Sequence, residues 1–192
     1  MFLLIQVLVI VLVLVGYSVL EYIIHKIHHP KDTDSSSFLL SRDYIIAFSA
    51  GYVEFFVESY FFYSFKCNPK NIIVWLGMIC IIAGLYIRFS AIIHAGKSFT
   101  HRIAFTKRDE HKLITDGIYK YIRHPGYFGF FIFAIGTQIW LCNVVSPIGF
   151  AIVLWRFFSS RIANEERLLI NFFGKDYERY RDKTPTWIPF IK

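Results

Sequence analysis

Apolar residues in this chain arrive in long runs rather than in the alternating or striped spacing of a half-buried element. Residues 2 to 20, FLLIQVLVIVLVLVGYSVL, hold only Gln6, Tyr17 and Ser18 as polar side chains. About 20 helical residues rising 1.5 Å each match a hydrocarbon layer of roughly 30 Å. Further runs cover residues 44–65, 71–95, 126–142 and 144–160, broken at Asn68-Pro69-Lys70 and at Cys142-Asn143. The last two runs are separated by almost nothing, which predicts a tight helical hairpin. Only the short KDTDSSS at residues 31–37 resembles a linker, and no repeat is visible. The pattern predicts an all-α fold, a polytopic integral membrane helical bundle with about five transmembrane helices in one domain spanning 1–192.

Composition strengthens that reading. Hydrophobic residues make up 55% of the 192 positions and aromatic residues 19%, more than one soluble core of this size can use. The first run lacks a basic leader and a small-residue cleavage site, so it is expected to be a retained span rather than a signal peptide. Net charge is +7, yet the basic residues flank apolar runs instead of lining one soluble face. Nucleic acid is therefore not an expected partner; the lipid bilayer is. Seven Lys or Arg lie in 97–125 and eight in 156–192, against two in 66–70. With five spans the two basic segments share a side, which the positive-inside rule makes cytoplasmic, leaving the N-terminus opposite.

Some polar residues are unexpected in such spans. Glu54 and Glu58, four apart on one helical face, and Arg88 in the third run each need a partner or a purpose, and pairing with each other between helices is the plainer expectation. Arg161 and Glu165 share a face of the helix that continues past Arg156 to about Phe173, where a surface ion pair is the plain reading. His25, His28 and His29 spell HKIHH, the spacing of one histidine box in membrane di-iron enzymes, but no second box exists to complete a metal site. Cys67, Cys80 and Cys142 suggest neither a disulfide framework nor zinc. No GxGxxG or βαβ rhythm is present, which excludes a soluble Rossmann-type cofactor site.

One motif carries more. GIYKYIRHPGYFGFF at 117–131 resembles the RHPxYxG signature of the isoprenylcysteine carboxyl methyltransferases, membrane enzymes that methylate the C-terminal carboxylate of prenylated proteins. The resemblance extends in order through SFLLSRDYIIAFSAGYVEFFVESYFF (37–62), AGKSFTH (95–101), HKLITDGIY (111–119), GTQIWLCN (136–143), WRFFSSRIANEERLLINFFGKDYERY (155–180) and TPTWIPFI. It does not cover the first 36 residues. Related membrane methyltransferases of phospholipid amines, and some sterol reductases, carry patterns similar to RHPxY alone.

The resemblance implies S-adenosyl-L-methionine as cofactor, held by a cytoplasmic helical region of about 97–127 and 156–192. It implies contacts from His111, Lys112, Leu113, Ile114, Tyr119, His124, Pro125, Gly126, Tyr127 and Glu165. Arg161 matches a position used toward the prenylcysteine, and Ala104 stands where relatives often have glutamine. Processed CaaX proteins of the small GTPase type would be substrates, at the endoplasmic reticulum membrane. The residues fit such chemistry. Pro125 suits a first helical turn whose following N–H groups face a carboxylate, and Glu165 offers an anion to an ammonium or sulfonium. Tyr119 and Tyr127 offer aromatic faces. A C-terminal carboxylate with a pKa of about 3.3 to 3.7 is already ionised, so no general base is needed and alignment is the task. Arg161, with Arg123 at the wet edge beside it, is the expected carboxylate clamp. A phospholipid or amine methyltransferase, or a non-enzymatic transporter or scaffold using Glu54, Glu58 and Arg88, are the alternatives.

Overall fold

The computed structural model describes residues 1–28, 42–99 and 112–191. Among these, helices account for all regular structure: α1 (Phe2–His28), α2 (Arg42–Phe61), the single turn α3 (Tyr63–Lys66), α4 (Ile72–Ala95), α5 (Pro125–Trp140), α6 (Ser146–Phe173) and α7 (Lys175–Lys183), with 3-10 turns at Gly96–Ser98 and Gly117–Lys120. Two of the helices, α1 and α4, are long and apolar enough to cross a membrane.

Helix ends fall where local chemistry puts them. Asn71 caps α4, its side chain accepting from the N–H of Ile73 at 3.0 Å. The helix stops at Gly96, whose φ of 51° favours glycine. Pro125 occupies the first turn of α5, and Gly174 separates α6 from α7 at φ 54°. The expected hairpin between α5 and α6 forms across residues 141–145, with Cys142 at φ 52°.

The centre of the molecule is the crossing of α4 and α5. A Cβ placed on Gly84 would lie 2.6 Å from the carbonyl oxygen of Gly129, and one on Gly129 would lie 2.7 Å from that of Gly84. Gly77 and Gly136, seven residues along each helix, meet the partner backbone in the same manner. α1 lies across this pair, tied by reciprocal bonds: Gln6 Nε2 donates to the carbonyl of Trp140 at 2.9 Å, and Trp140 Nε1 donates to that of Gln6 at 3.1 Å. The Nε2 of the lone side-chain amide of the first apolar run is thus paired with a backbone carbonyl in the core.

The intramembrane charges pair differently from the expected arrangement. α1 extends eight residues beyond the apolar run, to His28, and this carries Glu21 onto the Arg88 guanidinium. Glu58 pairs instead with Lys66 at 2.8 Å. Glu54 caps α6, accepting from the N–H groups of Val144 (2.8 Å), Val145 (2.6 Å) and Ser146 (2.8 Å) and from the Ser146 hydroxyl. Glu54, Glu58 and Arg88 therefore stand in separate clusters and form no polar path among the described residues. Lys66, only 1% exposed, also donates to the Leu141 carbonyl and to Asn143 Oδ1, while Asn143 Nδ2 donates to the Gly51 carbonyl and to Gln138 Oε1. That network locks α2 and α3 to the α5–α6 hairpin.

Candidate active site

A cavity of about 770 Å³ runs between α2, α4, α5 and α6, from Val145 and Ser146 at the start of α6 to the segment 112–121 and α7 at the other end of the bundle. Lys112, Leu113, Ile114, Tyr119, Arg123, His124, Gly126, Tyr127, Arg161 and Glu165 all line it. Pro125 stands behind the wall as the first residue of α5. His111 and Ala104 lie outside the described residues. The cavity continues into an apolar part walled by Phe130, Phe150, Phe157 and Phe158, so one end is polar and the other suits hydrocarbon.

Tyr127 is the hinge between the two ends. Its hydroxyl accepts from Arg161 Nε at 2.9 Å and donates to Glu165 Oε2 at 2.6 Å. Arg161 and Glu165, read from sequence as a surface ion pair, are instead joined through a phenol from another helix. The Arg161 guanidinium lies 5.5 Å from the Tyr127 ring centre, within cation–π range. On its other side Tyr127 stacks with His124, centroids 5.6 Å apart at 12°, and Phe158 stacks at 5.1 Å.

Behind this wall sits a buried polar cluster that the sequence reading missed. Glu166 Oε1 accepts from Arg123 Nε at 2.6 Å and pairs with His124 Nε2 at 3.1 Å. Burial pushes the Glu166 carboxyl up, but the hydrogen bond and charge of His124 and the charge of Arg123 outweigh it and hold the group below the usual carboxylate range. An ionised Glu166 can only accept a hydrogen bond from His124 Nε2, and the Nδ1 of the same ring lies 3.9 Å from Glu165 Oε2. The signal for Glu166 was present in the Glu-Glu doublet of NEERLL, whose second member points to a different partner from the first.

Arg123 corrects an expectation. Rather than standing at the wet edge, it is 4% exposed. Its Nη1 donates to the carbonyls of Arg181 (2.9 Å) and Thr184 (2.5 Å), and its own N–H donates to that of Pro185 at 2.9 Å. These bonds dock the chain after α7 against the start of α5. Nε and Nη1 are thus engaged in the fold, while Nη2, buried, has no hydrogen-bond partner among the described residues, and Arg123 still lines the cavity.

The first turn of α5 also differs in detail. The N–H groups of Tyr127 and Phe128 both return to the His124 carbonyl at 3.1 Å. Among the described residues this leaves Gly126 as the turn's N–H donor facing the cavity, and Pro125 has none. The Gly126 carbonyl accepts from Arg88 Nη1 at 2.8 Å, so the Glu21–Arg88 pair holds this turn from below. Segment 112–121 is held from the α4 side: Asp116 accepts from His94 at 2.9 Å, which keeps its carboxyl below the ordinary range. Tyr119 donates to the Ala91 carbonyl at 3.3 Å, and Tyr180 donates to that of Tyr119 at 2.6 Å. Burial pushes the Tyr119, Tyr177 and Tyr180 hydroxyls up, so all three stay protonated. No grouping of three or more His, Cys, Asp or Glu able to hold a metal occurs among the described residues.

Comparison with known proteins places this arrangement. The profile of the isoprenylcysteine carboxyl methyltransferase (ICMT) family matches residues 75–171, which include the glycine crossing, the RHPGY turn and both carboxylates of α6. The chain is 42% identical over 173 residues to a probable protein-S-isoprenylcysteine O-methyltransferase of Oryza sativa subsp. indica, covering 90% of each chain. It is 44% identical over 173 residues to the protein-S-isoprenylcysteine O-methyltransferase of Dictyostelium discoideum, covering 89% of this chain and 72% of that one. A solved structure of the eukaryotic intramembrane Ras methyltransferase ICMT superposes with a TM-score of 0.88 at 36% identity, over 93% of this chain. The chain spans 64% of the length of that structure. With a family profile over half its residues, close relatives over nearly all of them and the same helical arrangement, this chain belongs to the isoprenylcysteine carboxyl methyltransferase family.

Proposed function

We propose that the chain is a protein-S-isoprenylcysteine O-methyltransferase, which esterifies the α-carboxylate of a C-terminal S-prenylcysteine on processed CaaX proteins with S-adenosyl-L-methionine as donor. The observation that carries this reading is the Arg161–Tyr127–Glu165 bridge, set where the cavity changes from polar to apolar. Such a boundary fits a substrate that is a carboxylate at one end and a C15 or C20 hydrocarbon at the other.

The residues present fit the cofactor. Glu165 supplies an anion, His124 and Tyr127 present parallel aromatic faces, and Gly126 supplies an N–H at the same wall. When bound, S-adenosylmethionine supplies an electrophilic methyl group on a positively charged sulfur. His124, Gly126, Tyr127 and Glu165 would hold it, together with the 112–114 segment and Tyr119, and His111 is proposed to join them. Arg161 positions the substrate carboxylate through a charge-assisted bond without protonating it. Tyr127 keeps that arginine and Glu165 at a fixed separation, so attraction between them does not close the space the reacting groups need. The phenylalanine walls exclude water and strengthen each of these interactions.

Five spans with the cofactor side facing the cytoplasm, at the endoplasmic reticulum, complete the reading. It is supported by Lys112, Arg123 and Arg161, which line the cavity, and by the further basic residues of α7, whose Tyr177 and Tyr180 line it too. Binding of S-adenosylhomocysteine to purified protein tests the cofactor half. The proposal expects saturable binding that Glu165→Ala weakens, and it fails if folded protein shows none. Label from the methyl donor recovered in choline-type lipids, with none in a prenylcysteine ester, would assign the site to an amine methyltransferase instead.

A further inference from the structure

The chain leaves the apolar level of α6 and later returns to it. The outer side of α6 is apolar through Ile148 and Ile152, with Val153 and Phe157 at the margin of the cavity, each more than half exposed, and beyond that point the helix exposes Ser160, Asn164 and Arg167. The charged helix α7 follows. Residues 184–191, TPTWIPFI, then run back, and Trp155 Nε1 donates to the Pro189 carbonyl at 2.6 Å. That bond fixes the tail level with the place where α6 changes from apolar to polar.

The segment is clamped and turned outward at once. Pro185 accepts from the Arg123 N–H, the Thr186 hydroxyl donates to the Ile191 carbonyl at 2.6 Å, and Ile188 packs against Phe158 and Ile162. Trp187 and Phe190 adopt φ values of 63° and 61°, a region that bulky side chains avoid. The result is that Trp187 is 60% exposed and Phe190 is 94% exposed. Backbone strain kept at two positions, both aiming aromatic rings away from the protein, calls for something that receives them.

We propose that residues 184–191 form an interfacial foot that seats Trp187 and Phe190 in the boundary between headgroups and acyl chains on the cavity side of the bilayer. Tryptophan suits that boundary, where an apolar body and a wet N–H are both accommodated. The occupant is lipid because the foot continues the exposed apolar side of α6 and stands at its polar limit, with Arg156 exposed at the same level. Trp187 also meets Phe128 edge-on at 6.0 Å, one residue from Tyr127. Through that contact the foot sets the height of the cavity against the membrane surface, a consequence that rests on the bilayer placement proposed above.

The test is fluorescence of the full chain in bilayers containing brominated phosphatidylcholine. The emission removed by Trp187→Phe is expected to be quenched more strongly by bromine high in the acyl chain than by bromine deep in it, and to be several-fold less accessible to acrylamide than free tryptophan. Phe190→Trp is expected to add emission with the same preference. Emission equal in brominated and plain lipid, with acrylamide access like that of free tryptophan, overturns the proposal. So does quenching or a spectral shift that occurs only when a farnesylated peptide is added, which would make the foot a substrate surface. Trp75, 56% exposed on α4, is the control. If its emission also ignores the brominated lipid, the bilayer placement itself fails, a result distinct from loss of the foot alone.

Discussion

Tyr127 holds Arg161 and Glu165 through one hydroxyl, so substitutions at these positions should separate two kinds of binding. Arg161→Ala is expected to raise KM for a prenylcysteine substrate about tenfold or more, as loss of a charged hydrogen bond implies, and to leave S-adenosylhomocysteine affinity nearly unchanged. Glu165→Ala is expected to show the reverse. Equal, negligible effects would make the pair surface decoration. Behind them, Glu166→Gln should cost about 1.5–3 kcal/mol, because it removes the anion shared by Arg123 and His124. The carboxyl of Glu166 is depressed in the folded protein, so its stabilising contribution is complete above the ordinary carboxylate pKa of about 4.3 and is lost as pH falls through the lower folded value. Melting temperature against pH should therefore fall in that acid window in the wild type, with a smaller fall in Glu166→Gln. The i, i+4 relation of Arg161 and Glu165 was legible from spacing alone. Their union through Tyr127 was not, since it lies 34 and 38 residues away in the chain. The burial of Arg123 was not legible for the same reason: its acceptors, Arg181 and Thr184, follow it by 58 and 61 residues.

The helices meet where side chains are smallest. Gly84→Ala and Gly129→Ala each force a methyl group against the opposing carbonyl, and each is expected to lower stability by about 1–3 kcal/mol, read as earlier thermal aggregation in mild detergent. A comparable Gly16→Ala change, with open space around its Cβ position, should show no such loss. Glu54→Ala removes the acceptor for three N–H groups at the start of α6 and should cost about 1–2 kcal/mol. Hydropathy located the helices, and the runs 44–65, 71–95 and 126–142 begin and end within a few residues of α2–α3, α4 and α5. The run 2–20 stops eight residues before α1 does, and 144–160 stops before α6, which continues to Phe173 as expected, because an apolar run ends where the apolar surroundings end whereas a helix ends where its hydrogen bonds do. The eight further residues matter, since they bring Glu21 to Arg88 and so support the turn at Gly126. No sequence pattern shows which glycines face which, since that depends on the crossing angle.

At the scale of the molecule, two ends do different work. The Lys66–Glu58–Asn143 network closes one end of the bundle, and the cavity runs from the Glu54-capped start of α6 to Lys112, Arg123 and Arg161 toward the other. The gross architecture and ten of the cavity-lining positions were accessible from apolar runs and from the ordered resemblance around RHPGY. The buried support was not, because Glu166, Arg123 and the tail after α7 are joined only by folding. The central claim is that this cavity aligns a lipid-borne carboxylate with a methyl donor. Its most direct test is transfer of labelled methyl from S-adenosylmethionine to N-acetyl-S-farnesylcysteine by purified protein in bilayers, scored as base-labile ester. The account predicts saturable ester formation that is competed by S-adenosylhomocysteine and depressed by Arg161→Ala at low substrate. Folded protein that binds S-adenosylhomocysteine yet forms no base-labile ester would contradict it.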